Sequence, residues 1–224
     1  MHRFARFAAI AALLMAPAAL EAQGLADYDY ENLSFRGIGV DIGRIWPNKV
    51  DATTAYSLRF DLGFLGPAVR IVPSLSYWNS TLKRSELERL AQRLEEIPVL
   101  ADQDVTIGVE DLGNIEWSDV GLNLDAQAVW TAPYNVFTYI GAGFSLHLMN
   151  GRGGAIDGTF IEDLLDSTPA GIAVMGGLEY EIAQRFRVYG EGRYTLQSDV
   201  RYPGIKIGAA LMFPPPASAM RRQS

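Results

Sequence analysis

Alternation of apolar and polar residues recurs along most of this chain and constrains its fold more than any other feature. In the clearest run, Tyr56, Leu58 and Phe60 are separated by Ser57 and Arg59. Because successive side chains of a β-strand point to opposite faces, each such run predicts a strand with one apolar and one polar face. The pattern predicts eight strands, at residues 34–46, 52–64, 68–79, 117–131, 134–149, 170–183, 186–197 and 204–213.

The lengths of these strands and of their connections indicate a membrane-spanning barrel. Seven of the eight have 12 or more residues, whereas strands of soluble domains average ~5–6 and a tilted membrane-crossing strand needs ~9–11. The connections at 65–67, 132–133 and 184–185 are tight, whereas 80–116 and 150–169 are long. This alternation predicts an all-β fold, a transmembrane antiparallel up-and-down β-barrel of eight strands with its longer loops outside.

The two predicted faces differ in charge. The apolar face carries no charged residue, as contact with lipid requires. The other face carries six carboxylates and five basic groups, which we expect to form a charge network inside the barrel: Asp41, Arg59, Asp61, Arg70, Asp125, Glu179, Glu181, Arg187, Glu191, Arg193 and Lys206. Side chains just fill the interior of an eight-stranded barrel, so buried charges there must pair. Glu181 and Arg187 are predicted to pair across a turn.

Aromatic residues cluster near the predicted strand ends, as they do at membrane–water boundaries. The outer rim is predicted to hold Trp46, Tyr56, Tyr77, Trp78, Trp117 and Tyr194. The inner rim is predicted to hold Phe64, Trp130, Tyr134, Tyr180, Phe186 and Phe213.

The N-terminus has the features of an export signal. Arg3 and Arg6 precede an apolar run over 7–20, and small residues then favour cleavage after Ala22. An N-terminal membrane anchor is the alternative. The sequence therefore predicts a signal peptide at 1–22, a periplasmic segment at 23–33, the barrel at 34–213 and a proline-rich tail at 214–224.

The long connections carry helical and acidic patterns. Leu87, Leu90, Ala91 and Leu94 recur at helical spacing and predict an amphipathic helix over 83–96. A second short helix is expected at 159–165. An acidic patch is expected to be a solvated loop, with binding of a divalent cation as the alternative; it comprises Asp102, Asp104, Glu110 and Asp111.

Composition excludes several function classes. The net charge is −7 and no basic stripe occurs, so nucleic acid is not an expected partner. The chain has no cysteine, which removes disulfides, thiolate metal sites and a cysteine nucleophile. No metal or other cofactor is expected.

The last predicted strand carries the most specific resemblance. Lys206, Gly208, Leu211 and Phe213 resemble the C-terminal signal that the outer-membrane assembly machinery reads, although Pro214 and a tail follow here. With the predicted barrel, this strand resembles the small OmpA/OmpX/OmpW-type barrels of Gram-negative bacteria. The resemblance implies location in the cell outer membrane. It also implies outer-membrane lipid, lipopolysaccharide and the assembly machinery as partners, with the loops as the place for an extracellular ligand.

Three functions are compatible with the sequence. A non-catalytic structural or surface-interaction role is expected, and no catalytic residue is assigned. A narrow, porin-like small-solute channel is the first alternative. A lipid A-modifying enzyme is the second, because Ser145 and His147 share an inward face, with interior carboxylates such as Asp125 or Glu179 as candidate acidic neighbours.

Overall fold

The computed structural model describes residues 33–66, 68–95, 110, 113–154, 167–198 and 200–214. The predicted signal peptide, the second predicted helix and nearly all of the N-terminal segment and the tail lie outside the described residues. Asp102, Asp104 and Asp111 of the acidic patch do as well, while Glu110 is exposed. No helix in the described ranges is long and apolar enough to cross a membrane.

Eight antiparallel strands form a closed barrel, as the alternating pattern predicts. The elements are β1 (Leu33–Ile45), β2 (Thr53–Gly63), β3 (Val69–Thr81), α1 (Arg84–Glu95), β4 (Glu116–Ala132), β5 (Val136–Arg152), β6 (Ala170–Ala183), β7 (Phe186–Gln197) and β8 (Arg201–Met212). Each strand pairs with the next in sequence, and β8 pairs with β1 to complete the closure. A closed barrel leaves no unpaired strand edge in lipid.

Two strands begin two or three residues away from the predicted position, whereas the other six begin within one residue of it. β5 begins at Val136 rather than 134, because Pro133–Asn135 form a turn in which Tyr134 and Asn135 have positive φ. β8 begins at Arg201 rather than 204, because Pro203 is accommodated within the strand. Its carbonyl accepts a hydrogen bond from Trp46 N at 3.1 Å, so Pro203 takes part in the ladder as an acceptor. The last outer connection is therefore shorter than predicted.

Side-chain exposure confirms the predicted orientation of the two faces. Leu122 and Ile207 on the exterior are 54% and 69% exposed, and their neighbours along each strand point inward. Arg70 and Asp125 in the interior are 1% and 3% exposed. Apolar groups therefore surround a charged interior, which is the reverse of a water-soluble barrel.

The predicted outer aromatic rim is wrong for two of its members. Trp46, Tyr56, Tyr77 and Tyr194 are exposed on the exterior, but Trp78 and Trp117 point inward and are buried. Tyr77 and Trp78 are consecutive strand residues, so they cannot share a face. The inward aromatic rings at the outer strand ends pack inside the barrel instead of contacting the membrane.

An apolar cap closes the outer mouth of the barrel. The cap combines Leu87, Leu90 and Ala91 of α1 with inward residues at the outer strand ends, among them Trp78, Trp117, Met149 and Tyr202. Fully burying one leucine side chain contributes about 1.5–3 kcal/mol, so burial of Leu87 and Leu90 stabilises the packing of α1 on the barrel.

The start of α1 is tied to the neighbouring loop. Lys83 Nζ donates to Pro47 O at 2.8 Å and to Asn48 O at 3.1 Å. The Lys83 carbonyl accepts from Glu86 N and Leu87 N, which begins the helix. These contacts set α1 across the mouth, with its polar side outward.

Candidate functional site

The inner part of the barrel interior is organised around Arg70. Its Nη1 donates to Glu179 Oε2 at 3.0 Å and lies 3.5 Å from Asp61 Oδ2. Its Nε and Nη2 both donate to Gln127 Oε1, at 3.1 and 2.9 Å. A guanidinium has five donors in a fixed fork, so one arginine can link strands β2, β3, β4 and β6 in a single network.

Arg187 joins this network from the inner rim. Its Nη1 donates to Glu179 Oε1 at 2.9 Å, and its Nε lies 3.5 Å from Glu181 Oε2. Glu181 and Arg187 are register partners across the β6–β7 turn, as predicted. Glu181 lies at the exposed rim rather than inside the barrel, so this member of the predicted interior network is in contact with solvent.

Two tyrosines line the middle of the interior and bind the charged groups around them. Tyr189 OH donates to Asp41 Oδ2 at 2.8 Å, and Tyr139 OH donates to Glu191 Oε2 at 2.9 Å. The Arg59 guanidinium lies 4.3 Å from the centre of the Tyr189 ring, a cation–π contact. Lys206 Nζ is shared between the two carboxylates, 3.4 Å from Asp41 and 3.2 Å from Glu191.

Glycines opposite the tyrosines make this packing fit. A Cβ at Gly177 would lie 2.5 Å from the Tyr139 ring, and a Cβ at Gly208 would lie 2.5 Å from the Tyr189 ring. Both glycines lie on the inward face. They are required by close approach of an aromatic ring rather than by turn conformation.

Arg193 completes the predicted charge network. Its guanidinium donates to both carboxylate oxygens of Asp125, at 2.7 and 3.1 Å, and to Asn123 Oδ1 at 3.2 Å. Ten of the eleven charged residues predicted for this network form an ion pair with another of them, with Glu181 at the rim. Arg59 instead contacts the Tyr189 ring, and its Nη1 is buried without a hydrogen-bond partner.

A small cavity lies above these layers. Its volume is about 60 Å³, and its lining includes Asp41, Ser74, Asn123, Thr195 and Lys206. That volume is enough for a few water molecules. Asp41 Oδ1 is buried without a protein partner and belongs to the same lining, which suits a hydrated chamber. The chamber lies between the charge network and the cap.

A serine, a histidine and an aspartate form a hydrogen-bonded chain beneath the cap. His147 Nε2 lies 2.8 Å from Ser145 Oγ, and His147 Nδ1 lies 2.8 Å from Asp119 Oδ2. All three are buried, Ser145 at 4% and the other two at 1% exposure. Gly121 is the register partner of His147, and its missing side chain leaves room for the imidazole ring.

The predicted acidic neighbours of His147 are wrong. Asp125 is held by Arg193, and Glu179 by Arg70 and Arg187. The β4–β5 register instead brings Asp119 to the histidine.

Several polar residues of the interior are missing from the predicted charge network. They include Asp119, Asn123, Gln127, Tyr139 and Tyr189. The signal that identifies them is their position along the strand. Asp119, Asn123 and Gln127 lie an even number of residues from Asp125 on β4, and Tyr189 lies two residues from Arg187 on β7. Tyr139 lies an even number of residues from Ser145 on β5, which the sequence also predicts to face inward.

The residues that resemble an assembly signal lie on both faces of the last strand. Lys206 and Gly208 point inward, whereas Leu211 and Phe213 lie on the exterior. The Phe213 ring stacks on Phe35 at a centroid distance of 5.4 Å, near the start of β1. This contact covers the inner end of the seam between the first and last strands.

Comparison with solved structures identifies the class of fold. Neisserial surface protein A matches with a TM-score of 0.51 at 14% identity, covering 80% of this chain and 97% of that one. The N-terminal β-barrel domain of Pseudomonas aeruginosa OprF has a TM-score of 0.49 at 11% identity, covering 79% and 97%. Ail of Yersinia pestis has a TM-score of 0.47 at 11% identity, covering 80% and 97%.

The chain has the fold of the small eight-stranded outer-membrane β-barrels. The likeness to Neisserial surface protein A and the apolar exterior around a charged interior support this independently. No family model matches the chain, and no curated protein is similar to it in sequence.

Proposed function

We propose that this protein is a non-catalytic structural or surface-interaction barrel of the outer membrane. The observation that carries the proposal is that the bore is closed at two levels. The charge network fills the inner part, where Arg70 and Glu179 are fully buried, and the apolar cap covers the outer mouth. A barrel filled in this way acts as a scaffold for what its outer end displays.

The outer end displays the polar side of α1. Arg84, Glu88, Arg89, Gln92 and Arg93 are exposed there, while the apolar side is buried in the cap. Arg89 and Glu86 pair along the helix at 2.6 Å, which leaves a mixed-charge surface. This surface is where we expect an extracellular ligand to bind. Membrane lipid, lipopolysaccharide and the assembly machinery complete the proposed partners.

Two measurements test the proposal. Reconstituted in a planar bilayer, the full mature chain is expected to show no steady open channel. Steady conductance would contradict the proposal and support the narrow small-solute channel instead. Neutralising Arg193 should then change the conductance, since its side chain lines the cavity.

Labelling of single cysteines tests the display of α1, because the chain has no cysteine of its own. With a membrane-impermeant maleimide, Gln92→Cys on α1 should react on intact cells. Gln184→Cys in the exposed β6–β7 turn is the matched control, and it should react only after the outer membrane is permeabilised. The reverse pattern would overturn the proposed orientation.

The triad of Ser145, His147 and Asp119 supports a second candidate function, a serine hydrolase acting on lipid. The hydrogen bonds place the histidine between acid and hydroxyl, as nucleophilic catalysis requires. Burial of all three argues for a structural role instead. Reaction of Ser145 with a fluorophosphonate, or lipid A altered by the wild type but not by Ser145→Ala, would establish the enzyme. Unchanged lipid A and an unlabelled serine would remove it.

A further inference from the structure

One basic group of the charge network is an amine, whereas the other four are guanidinium groups. The chain has three lysines. Lys49 and Lys83 lie at the outer end of the barrel, in contact with the cap and the neighbouring loop, and Lys206 lies inside on β8. A deprotonated amine is a nucleophile, whereas a guanidinium stays protonated in proteins. Lys206 can therefore react in a way that the interior arginines cannot.

Two buried carboxylates lie against this amine. Lys206 Nζ is 3.4 Å from Asp41 Oδ2 and 3.2 Å from Glu191 Oε1, and the two carboxylate side chains are 1% and 2% exposed. Asp41 is the register partner of Gly208, so Lys206 is its diagonal neighbour across the seam between the first and last strands. The contact therefore joins the two ends of the barrel sheet.

The two oxygens of the Asp41 carboxylate have different surroundings. Oδ2 accepts a hydrogen bond from Tyr189 OH at 2.8 Å, which polarises the carboxyl group. Oδ1 is buried without a hydrogen-bond partner among the described residues, and Asp41 lines the chamber beneath the cap. An oxygen lost from this position can therefore leave as water into a space that already suits water.

Glu191 is placed to move a proton at this contact. Its Oε2 accepts a hydrogen bond from Tyr139 OH at 2.9 Å, which holds the carboxylate in position. Its Oε1 faces Lys206 Nζ and has no hydrogen-bond partner in the described part of the chain. This oxygen is thus free to accept a proton from the amine.

We propose that Lys206 and Asp41 form an isopeptide bond that joins β8 covalently to β1. The ammonium group of Lys206 first gives one proton to Asp41, which leaves an amine beside a carboxylic acid. Nζ then attacks Cγ and forms the C–N bond. Glu191 takes a second proton from Nζ and passes it to Oδ1, the Cγ–Oδ1 bond breaks, and one water molecule leaves. The third proton stays on the amide nitrogen.

The surroundings favour this bond. Groups held in contact by a fold react without the entropy cost of meeting in solution. The amide replaces a buried ammonium and a buried carboxylate by one neutral group, which removes the cost of keeping two charges out of water. Glu191 retains a cation, because Arg193 Nη1 lies 4.0 Å from its Oε1. The bond would lock the register of the first and last strands, a property beyond the proposed function.

The test is mass spectrometry of the full mature chain before and after refolding. The unfolded chain should have the mass of its sequence, and the folded chain should be lighter by one water molecule. Trypsin should then release residues 37–44 joined to residues 202–221, without cleavage after Lys206. A folded chain of unchanged mass, or one that yields residues 37–44 in free form, would overturn the proposal.

Lys206→Arg is the matched control, because it keeps a cation between the two carboxylates but has no amine. It should fold, as judged by heat-dependent mobility on gels, and keep the mass of its sequence. Glu191→Gln should slow formation of the bond about a hundredfold, since it removes the proton carrier. Loss of water from the Lys206→Arg chain, or linkage of Glu191→Gln at the wild-type rate, would contradict the proposed chemistry.

Discussion

The inner and outer parts of the barrel interior are filled by opposite chemistry. The inner part holds carboxylates and guanidinium groups linked across strands around Arg70 and Glu179. The outer part holds rings and aliphatic side chains, including Trp78, Trp117 and the buried side of α1. The inner filling comes from the strands themselves, so it is part of the barrel. The outer filling depends on a loop helix, so it can change without disturbing strand pairing.

Removing Arg70 should lower the stability of the barrel more than any other single change. Arg70→Leu leaves Glu179 and Asp61 buried near one another without their shared cation, and such a loss costs about 3–5 kcal/mol. Urea unfolding in lipid vesicles, followed by gel mobility, should show a correspondingly lower midpoint. A midpoint within error of the wild type would mean that the inner network does not hold the barrel together.

Gly177→Ala should cause the next largest loss of stability. The new methyl group would collide with the Tyr139 ring, and overpacking of this kind costs about 1–3 kcal/mol. Gly176→Ala is the matched control, because a Cβ there points outward and meets nothing closer than 3.6 Å. The same unfolding assay should separate these two adjacent glycines. Equal effects would contradict the assigned faces of β6.

Asp119→Asn tests the boundary between the two parts. The substitution keeps the shape of the side chain but removes the charge from a buried hydrogen bond to His147, which contributes about 1.5–3 kcal/mol. We expect a loss at or below the low end of that range, since the amide oxygen can still accept a hydrogen bond. An increase in stability would show instead that burying the carboxylate is the larger cost.

Leu90→Ala should have the smallest effect on the barrel and a clear effect on the cap. Truncating a buried leucine costs about 2–5 kcal/mol locally, but α1 lies in a loop and can detach without breaking strand pairs. Hydrogen exchange should therefore quicken in α1 and stay unchanged in β3 and β4. Faster exchange throughout those strands would show that the cap and the barrel unfold together.

The alternating pattern was sufficient to predict the strands and their faces. The bounds of β6 and β7 agree to the residue, and the charged interior follows from parity alone. The partners within the interior could not be read in the same way, because they depend on register and stagger between strands. His147 is the clearest case, since Gly121 rather than an acidic residue faces it and Asp119 approaches from two positions away.

The cap could not be predicted from the sequence pattern, because it also depends on how distant segments pack together. The helix itself was predicted within a residue of its observed ends. Where its apolar side packs depends on how a long connection folds back, and no local spacing encodes that. The inward position of Trp78 was predictable from its neighbour, because consecutive strand residues face opposite sides and Tyr77 lies on the exterior.

Closure by β8 on β1 has a consequence for how the molecule is made. Ile38 is paired with Leu211, so the first strand acquires its second neighbour only when nearly the whole barrel sequence has been synthesised. Until that moment, both margins of the sheet carry unsatisfied amides that the hydrocarbon interior penalises by several kcal/mol each. Stepwise insertion, one hairpin at a time, therefore has the higher free-energy barrier. The barrier is lower when a nearly complete sheet enters the bilayer and closes in one concerted event.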